Sequence, residues 1–191
     1  MAPIIDKYDL NEESSTLGQV KKGHWKHLTV AVKDIRNSFD AKYVKRKILM
    51  LDKLKHPYLV QLIAVAFSHL SIKIVMEYCE GSNLDDIIYN GEVKQRYNLV
   101  DEEKQKVSLK IAKGLDYLHM HNMHHQDLKP ANIILKHFTL ITKICDLGFS
   151  RSKALCANLR TTVGNNTHGT SFYQAPEALK GLRTTKRADI W

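Results

Sequence analysis

A carboxylate, an ammonium and a carboxamide fall within one short polar run of this 191-residue chain, His125-Gln126-Asp127-Leu128-Lys129-Pro130-Ala131-Asn132. Moving a phosphoryl group onto a hydroxyl requires three such groups close together. One orients the hydroxyl, one neutralises the moving phosphoryl, and one holds a metal ion. A second carboxylate, Asp146, follows the apolar Ile144-Cys145 and precedes Leu147-Gly148. Asp, Lys and Asn are common loop residues, so each alone carries little weight. The joint spacing carries the argument.

Such groups need a folded frame, and composition allows one. A hydrophobic content of 43% and a charged content of 26% are those of a globular chain, with room for one ordinary domain or two small lobes. The longest apolar stretch, 59–67, is about half of a membrane span and is broken by Gln61, so no membrane segment is expected. Cys79, Cys145 and Cys156 lack metal-site spacing and cannot all pair, which favours a reducing, cytoplasmic setting. The net charge of +9 suits an acidic partner. Aromatics do not alternate with the basic residues, so nucleic acid is not the expected one. Lys42-Tyr43-Val44-Lys45-Arg46-Lys47 reads as the solvated face of a helix. His119, His121, His124 and His125 crowd one span without ligand spacing, and no metal site is expected there.

The elements that position the polar run follow from periodicity. Gly18-Gln19-Val20 and Leu28–Val32 read as β-strands, β-branched and bounded by polar residues. Ser38 can cap a helix to about Leu54, with Tyr43, Ile48, Leu51 and Leu54 as its apolar stripe; His56-Pro57 ends it. Strands are expected at 59–67 and Ile72–Met76. Ser82 or Asn83 can cap a short helix through Ile88. Asp101-Glu102-Glu103 places negative charge in the first turn of a longer helix, where the macrodipole favours it, and Val107, Ile111, Leu115 and Leu118 mark its buried face. Ile133–Leu135 and Ile141–Cys145 read as a strand pair after the polar run. The loop from Asp146 to Gln174 is long enough to suggest function.

In these residues the chain resembles the eukaryotic protein kinases, whose catalytic loop reads His-Arg-Asp-x-Lys-x-x-Asn and whose metal motif reads Asp-Phe-Gly. A second, independent resemblance lies in Gly169-Thr170-Ser171-Phe172-Tyr173-Gln174-Ala175-Pro176-Glu177, similar to the segment that closes the activation loop and forms the peptide-docking shelf. The resemblance implies an α+β, two-lobe fold, with a β-rich small lobe and hinge over 1–79 and a helical large lobe over 80–191. Ala188-Asp189-Ile190-Trp191 is similar to the segment before the family's long central helix, which implies a domain incomplete at its C-terminal side.

The resemblance also implies roles. Asp127 is the catalytic aspartate, and Lys129 is the lysine that neutralises the phosphoryl group in serine/threonine-type kinases. Asn132 and Asp146 hold magnesium. Lys33, in Val30-Ala31-Val32-Lys33, contacts the α and β phosphates of ATP. Gly18, Val20 and Ala31 cover the nucleotide, Ile134 underlies the adenine, and Glu77 and Cys79 belong to the hinge that reads its edge, with Met76 behind. Thr170 together with Lys129 points to serine or threonine hydroxyls of a protein substrate, and signalling proteins are the implied partners.

The chain departs from the family pattern in three ways. Counting back from Gly18, the first two phosphate-loop glycines fall on Glu13 and Ser15, where side chains obstruct a close backbone approach. Gln126 replaces the arginine that pairs with an activation-loop phosphate. Lys47 stands where the family has the glutamate that pairs with the strand lysine, and two cations at about 4 Å repel by about 4 kcal/mol at an effective dielectric of about 20. A catalytically weak or inactive pseudokinase, serving as an interaction module, is therefore the alternative reading. Lys47→Glu is expected to raise phosphotransfer about tenfold, the effect of about 1.4 kcal/mol on the helix equilibrium. The gain should vanish in a Lys33→Met background. A radiometric assay of both variants checks this, and a gain that survives loss of Lys33 would overturn the charge argument.

Overall fold

A computed structural model describes residues 1–13, 20–36, 41–67, 71–147, 171–182 and 184–191. They form two compact units, Met1–Glu80 and Gly81–Trp191. No helix among the described residues is long and apolar enough to cross a membrane.

The first unit is built on a six-stranded sheet in the order β1-β5-β6-β4-β3-β2. Its strands are β1 (Ile4–Ile5), β2 (Leu10–Glu12), β3 (Val20–Trp25), β4 (Leu28–Arg36), β5 (Leu62–Phe67) and β6 (Ser71–Glu77). β1 runs parallel to β5 and every other pairing is antiparallel. Alternation along β4 sorts its side chains between two faces. Val30 and Val32 join Leu10, Ala64, Ala66 and Val75 in a core that Ile5, Trp25 and Ile63 flank. Lys26-His27 makes a two-residue hairpin loop between β3 and β4, with Lys26 at φ 54°, a left-handed turn that matches strand twist. Gly23 is required because a Cβ there would lie 2.8 Å from the carbonyl oxygen of Asn11 on β2.

Helix α1 (Ala41–Lys53) buries Leu51 of the expected stripe and half-buries Ile48, while Leu54 is buried just past the helix end. It also buries Val44, within the basic run 42–47 that reads from sequence as a solvated face. Its expected cap, Ser38, lies outside the described residues. The strand expected at 59–67 begins only at Leu62, because the chain first turns at Pro57-Tyr58. The Leu59 N–H donates to the His56 carbonyl at 3.1 Å, and the Gln61 amide donates to the carbonyls of His56 and Leu59. Lys73 crosslinks β6 to β2 through Glu12 at 2.5 Å and reaches Asp34 at 3.5 Å. Burial pushes the Lys73 ammonium down, but the hydrogen bond and charge of Glu12 hold it above its ordinary value.

The second unit joins helices to a small sheet of β7 (Ser82–Asn83), β8 (Ile133–Leu135) and β9 (Thr142–Ile144). Asn83 caps α2 (Leu84–Tyr89), its side-chain oxygen accepting from Asp86 N–H at 2.8 Å. A helix that periodicity did not announce follows, α3 (Gly91–Tyr97). Asn90 caps it by accepting from the N–H groups of Glu92 and Val93, which is the overlooked signal. In α4 (Asp101–Met120) the Glu103 carboxylate accepts from Val100 N–H, and Val107, Leu115 and Leu118 are buried while Ile111 is half-buried. A short α5 (Pro176–Leu179) comes last among the α-helices described.

Tyr97 ties these parts together. Its hydroxyl donates to the Leu135 carbonyl at 2.8 Å and accepts from Ser82 N–H at 2.9 Å, bridging β7 and β8 from within the core that Ile87, Val107 and Leu135 share. Tyr97→Phe keeps the ring and leaves both backbone groups without the hydroxyl. It is expected to destabilise this unit by about 1–3 kcal/mol, measured by chemical denaturation. A loss below about 0.3 kcal/mol would show that water replaces the hydroxyl.

Candidate active site

The polar run lies between α4 and β8 as a loop whose last residues, Pro130–Asn132, form one 3-10 turn. Proline suits the first position of that turn because its missing N–H is not needed there. The turn brings the three groups into contact. Asp127 Oδ2 lies 3.0 Å from Lys129 Nζ, and Asn132 Nδ2 donates to the same Oδ2 at 3.3 Å and to the Asp127 carbonyl at 2.7 Å. Asn132 is itself buried and its amide nitrogen is committed to Asp127, which leaves its oxygen as the atom that could act as a metal ligand. The Cys145 N–H donates to the Asn132 carbonyl at 3.0 Å, which sets Asp146 directly beside this loop.

Two residues here hold left-handed backbones without being glycine: Gln126 at φ 66° and Asp146 at φ 57°. Such conformations cost about 1–3 kcal/mol and persist only where surroundings enforce them. At Gln126 the enforcing group is Asp189. Its buried carboxylate accepts from Gln126 N–H at 2.7 Å and from His125 N–H at 2.8 Å, and it meets His119 Nε2 at 2.9 Å. His125 is fully buried and aims its own ring at the Cys145 carbonyl, 2.9 Å away. Sequence reasoning missed the part that Asp189 plays. No local spacing signals it, since it sits far along the chain in another element.

The histidine-rich span thus divides its side chains among separate partners. His119 faces Asp189, His121 faces the Tyr117 carbonyl, and His125 faces the Cys145 carbonyl. Among the described residues no three His, Cys, Asp or Glu side chains gather as a metal cluster. A cleft of about 420 Å³ in the same unit is lined by Leu128, Lys129, Pro130, Phe172 and Tyr173, so it opens beside the loop.

In the first unit, register decides which side chains share a face. Val20 pairs with Lys33, and Ala31 pairs with Met76, so these four lie on the face opposite the Val30–Val32 core. Lys33 is buried, Ala31 half-buried and Val20 45% exposed. Glu77 and Cys79 are half-buried, and the Glu77 N–H is taken by the Gln61 carbonyl at 2.9 Å. Ile134, half-buried on β8, belongs to the second unit. Glu13 pairs with Lys22 at 3.0 Å, and that hydrogen bond raises the Lys22 ammonium above its ordinary value. Gly18, Ser15 and Thr170 lie outside the described residues, as does the side chain of Lys47.

Residues 14–191 match the family model described as "Protein kinase domain". The chain belongs to the protein kinase family. Among its relatives, mitogen-activated protein kinase kinase kinase 7 of Drosophila melanogaster is 30% identical over 91% of this chain and 25% of its own length. The serine/threonine-protein kinase TIO of Arabidopsis thaliana is 31% identical over 92% of this chain and 13% of its own length. Cyclin-dependent kinase-like 2 of Oryctolagus cuniculus is 34% identical over 85% of this chain and 28% of its own length. The chain therefore spans about a quarter or less of these relatives. The α+β architecture is that of a kinase domain, with a sheet-based first unit and helices in the second.

Asp189 gives this kinase domain a direct test of loop positioning. Asp189→Asn replaces one accepting oxygen with a donor facing N–H groups. It is expected to cost about 1–3 kcal/mol by denaturant titration. Amide exchange at His125 and Gln126 should accelerate in the same variant. Unchanged exchange at both amides would refute the anchoring role.

Proposed function

We propose that this chain transfers the γ-phosphoryl group of magnesium-bound ATP to serine or threonine hydroxyls of protein substrates. The observation that carries the reading is the shared contact of Asp127 Oδ2 with Lys129 and Asn132 in one loop. Asp127 is the catalytic residue toward the substrate. Pinned by its two neighbours, its carboxylate orients the hydroxyl and takes up its proton as the hydroxyl oxygen bonds the γ-phosphorus, the bond from that phosphorus to the bridging oxygen breaks and ADP leaves. The Lys129 ammonium neutralises charge on the phosphoryl group in transit.

The donor set fits magnesium. Asn132 offers an amide oxygen and Asp146 a carboxylate, both hard ligands, and neither is a thiolate or imidazole. When bound, Mg·ATP supplies the phosphoryl group and a cation that offsets its charge. By the family resemblance Lys33 would hold the phosphates of ATP, and Gly18, Val20, Ala31, Glu77, Cys79 and Ile134 would bind its nucleoside part. Lys129, Thr170 and the names of the relatives support serine and threonine as acceptors and signalling proteins as partners. The cysteine content supports a cytoplasmic setting.

Incorporation of γ-labelled phosphate into casein, with a fluorescent ATP analogue measuring affinity, tests this. Asp127→Asn is expected to lower turnover about 10²- to 10⁴-fold while leaving nucleotide affinity within about threefold. Asp146→Asn is expected to abolish the magnesium dependence of nucleotide binding. Turnover retained in Asp127→Asn would remove that residue from the mechanism. Magnesium-dependent nucleotide binding without turnover in the unaltered chain would favour the pseudokinase reading, for which Lys47 is the motivating residue.

A further inference from the structure

Helix α1 has two faces of different chemistry. At about 100° per residue, Lys45, Leu49, Lys53, Arg46 and Met50 fall within an arc of about 140°. The buried pair Val44 and Leu51 lies opposite that arc. All five arc residues are exposed, Leu49 at 39% and Met50 at 46%. The helix holds five basic residues and a single acidic one, Asp52. Asp52 points elsewhere, accepting from Ala2 N–H at 2.8 Å. Among the described residues Lys45, Arg46 and Lys53 form no ion pair.

Leu49 and Met50 stand three or four positions from these cations, the spacing at which helix side chains become neighbours. Uncompensated cations on one face repel one another, and apolar groups between them lose nothing by leaving water. An oppositely charged partner with its own apolar stripe relieves both costs at once. Nucleic acid would engage the cations and leave the aliphatic pair unused. A bilayer needs a wider apolar face than two side chains on a helix whose other side is already buried.

We propose that the outward face of α1 docks an acidic amphipathic helix from a partner protein. Glutamates of that helix pair with Lys45, Arg46 and Lys53, and its leucines cover Leu49 and Met50. The proposal uses none of the residues assigned to phosphotransfer, so it stands or falls separately from that reading.

The probe is a fluorescein-labelled helical peptide with leucine at i, i+3, i+4 and i+7 and glutamate elsewhere, followed by anisotropy. It is expected to bind with micromolar affinity and to weaken as salt rises. The double variant Lys45→Glu, Arg46→Glu should lose at least about tenfold in affinity, and Leu49→Gln several-fold, with melting curves confirming folded protein. A lysine-for-glutamate peptide should ignore the unaltered chain and bind the double variant, an exchange that misfolding cannot mimic. The proposal is overturned if the charge exchange fails, or if a serine-for-leucine peptide binds equally well. Stronger binding through the same residues to a single-stranded oligonucleotide, or to phosphatidylserine vesicles, would overturn it too.

Discussion

One buried carboxylate sets the shape of the catalytic loop. Asp189 accepts hydrogen bonds from two successive backbone amides, and one of those residues, Gln126, holds a left-handed conformation. Without an acceptor at that point, the loop would face both a strained backbone and unsatisfied buried donors. With it, the chain leaves Gln126 in the direction that lets Asp127, Lys129 and Asn132 converge. His125 extends the same constraint to the segment after β9 that carries Asp146, because its ring meets the Cys145 carbonyl. Backbone thus holds backbone, and the reactive side chains inherit their geometry.

The first unit rests on a different constraint, strand register. A shift of one residue in β4 would exchange Lys33 for Val32 and drive a charge into the apolar core. The long pairing of β4 with both β3 and β6 fixes that choice. Lys73, bridging Glu12 and Asp34, adds a polar crosslink near one edge of the same sheet. The position of the buried Lys33 is therefore a property of the whole sheet, more than of the residues beside it.

Charge is distributed unevenly over this frame. The sequence has cations at Lys42, Lys45, Arg46 and Lys47 in α1, while the one acid of that helix, Asp52, accepts from Ala2 N–H ahead of β1. The Glu13 carboxylate, which the family pattern would set near phosphate, is paired with Lys22. Both features bear on how a kinase domain with Lys47 in this helix behaves.

Local chemistry makes much of this legible in the sequence. The polar run, the cap at Asn83, the acidic first turn of α4 and its buried Val107, Leu115 and Leu118 all act over a few residues. Their consequences can be read from neighbouring letters. The strand at Leu62–Phe67 and the helix at Gly91–Tyr97 were less legible. Side-chain bonds from Gln61 and Asn90 decided where they begin, and these compete closely with simple periodicity. The sequence by itself determined which groups could do chemistry and that they would share a loop. Only the tertiary structure decided that Asp189 shapes that loop and that Tyr97 bridges two strands, because a buried polar group takes its partner from whatever the fold brings within hydrogen-bonding distance.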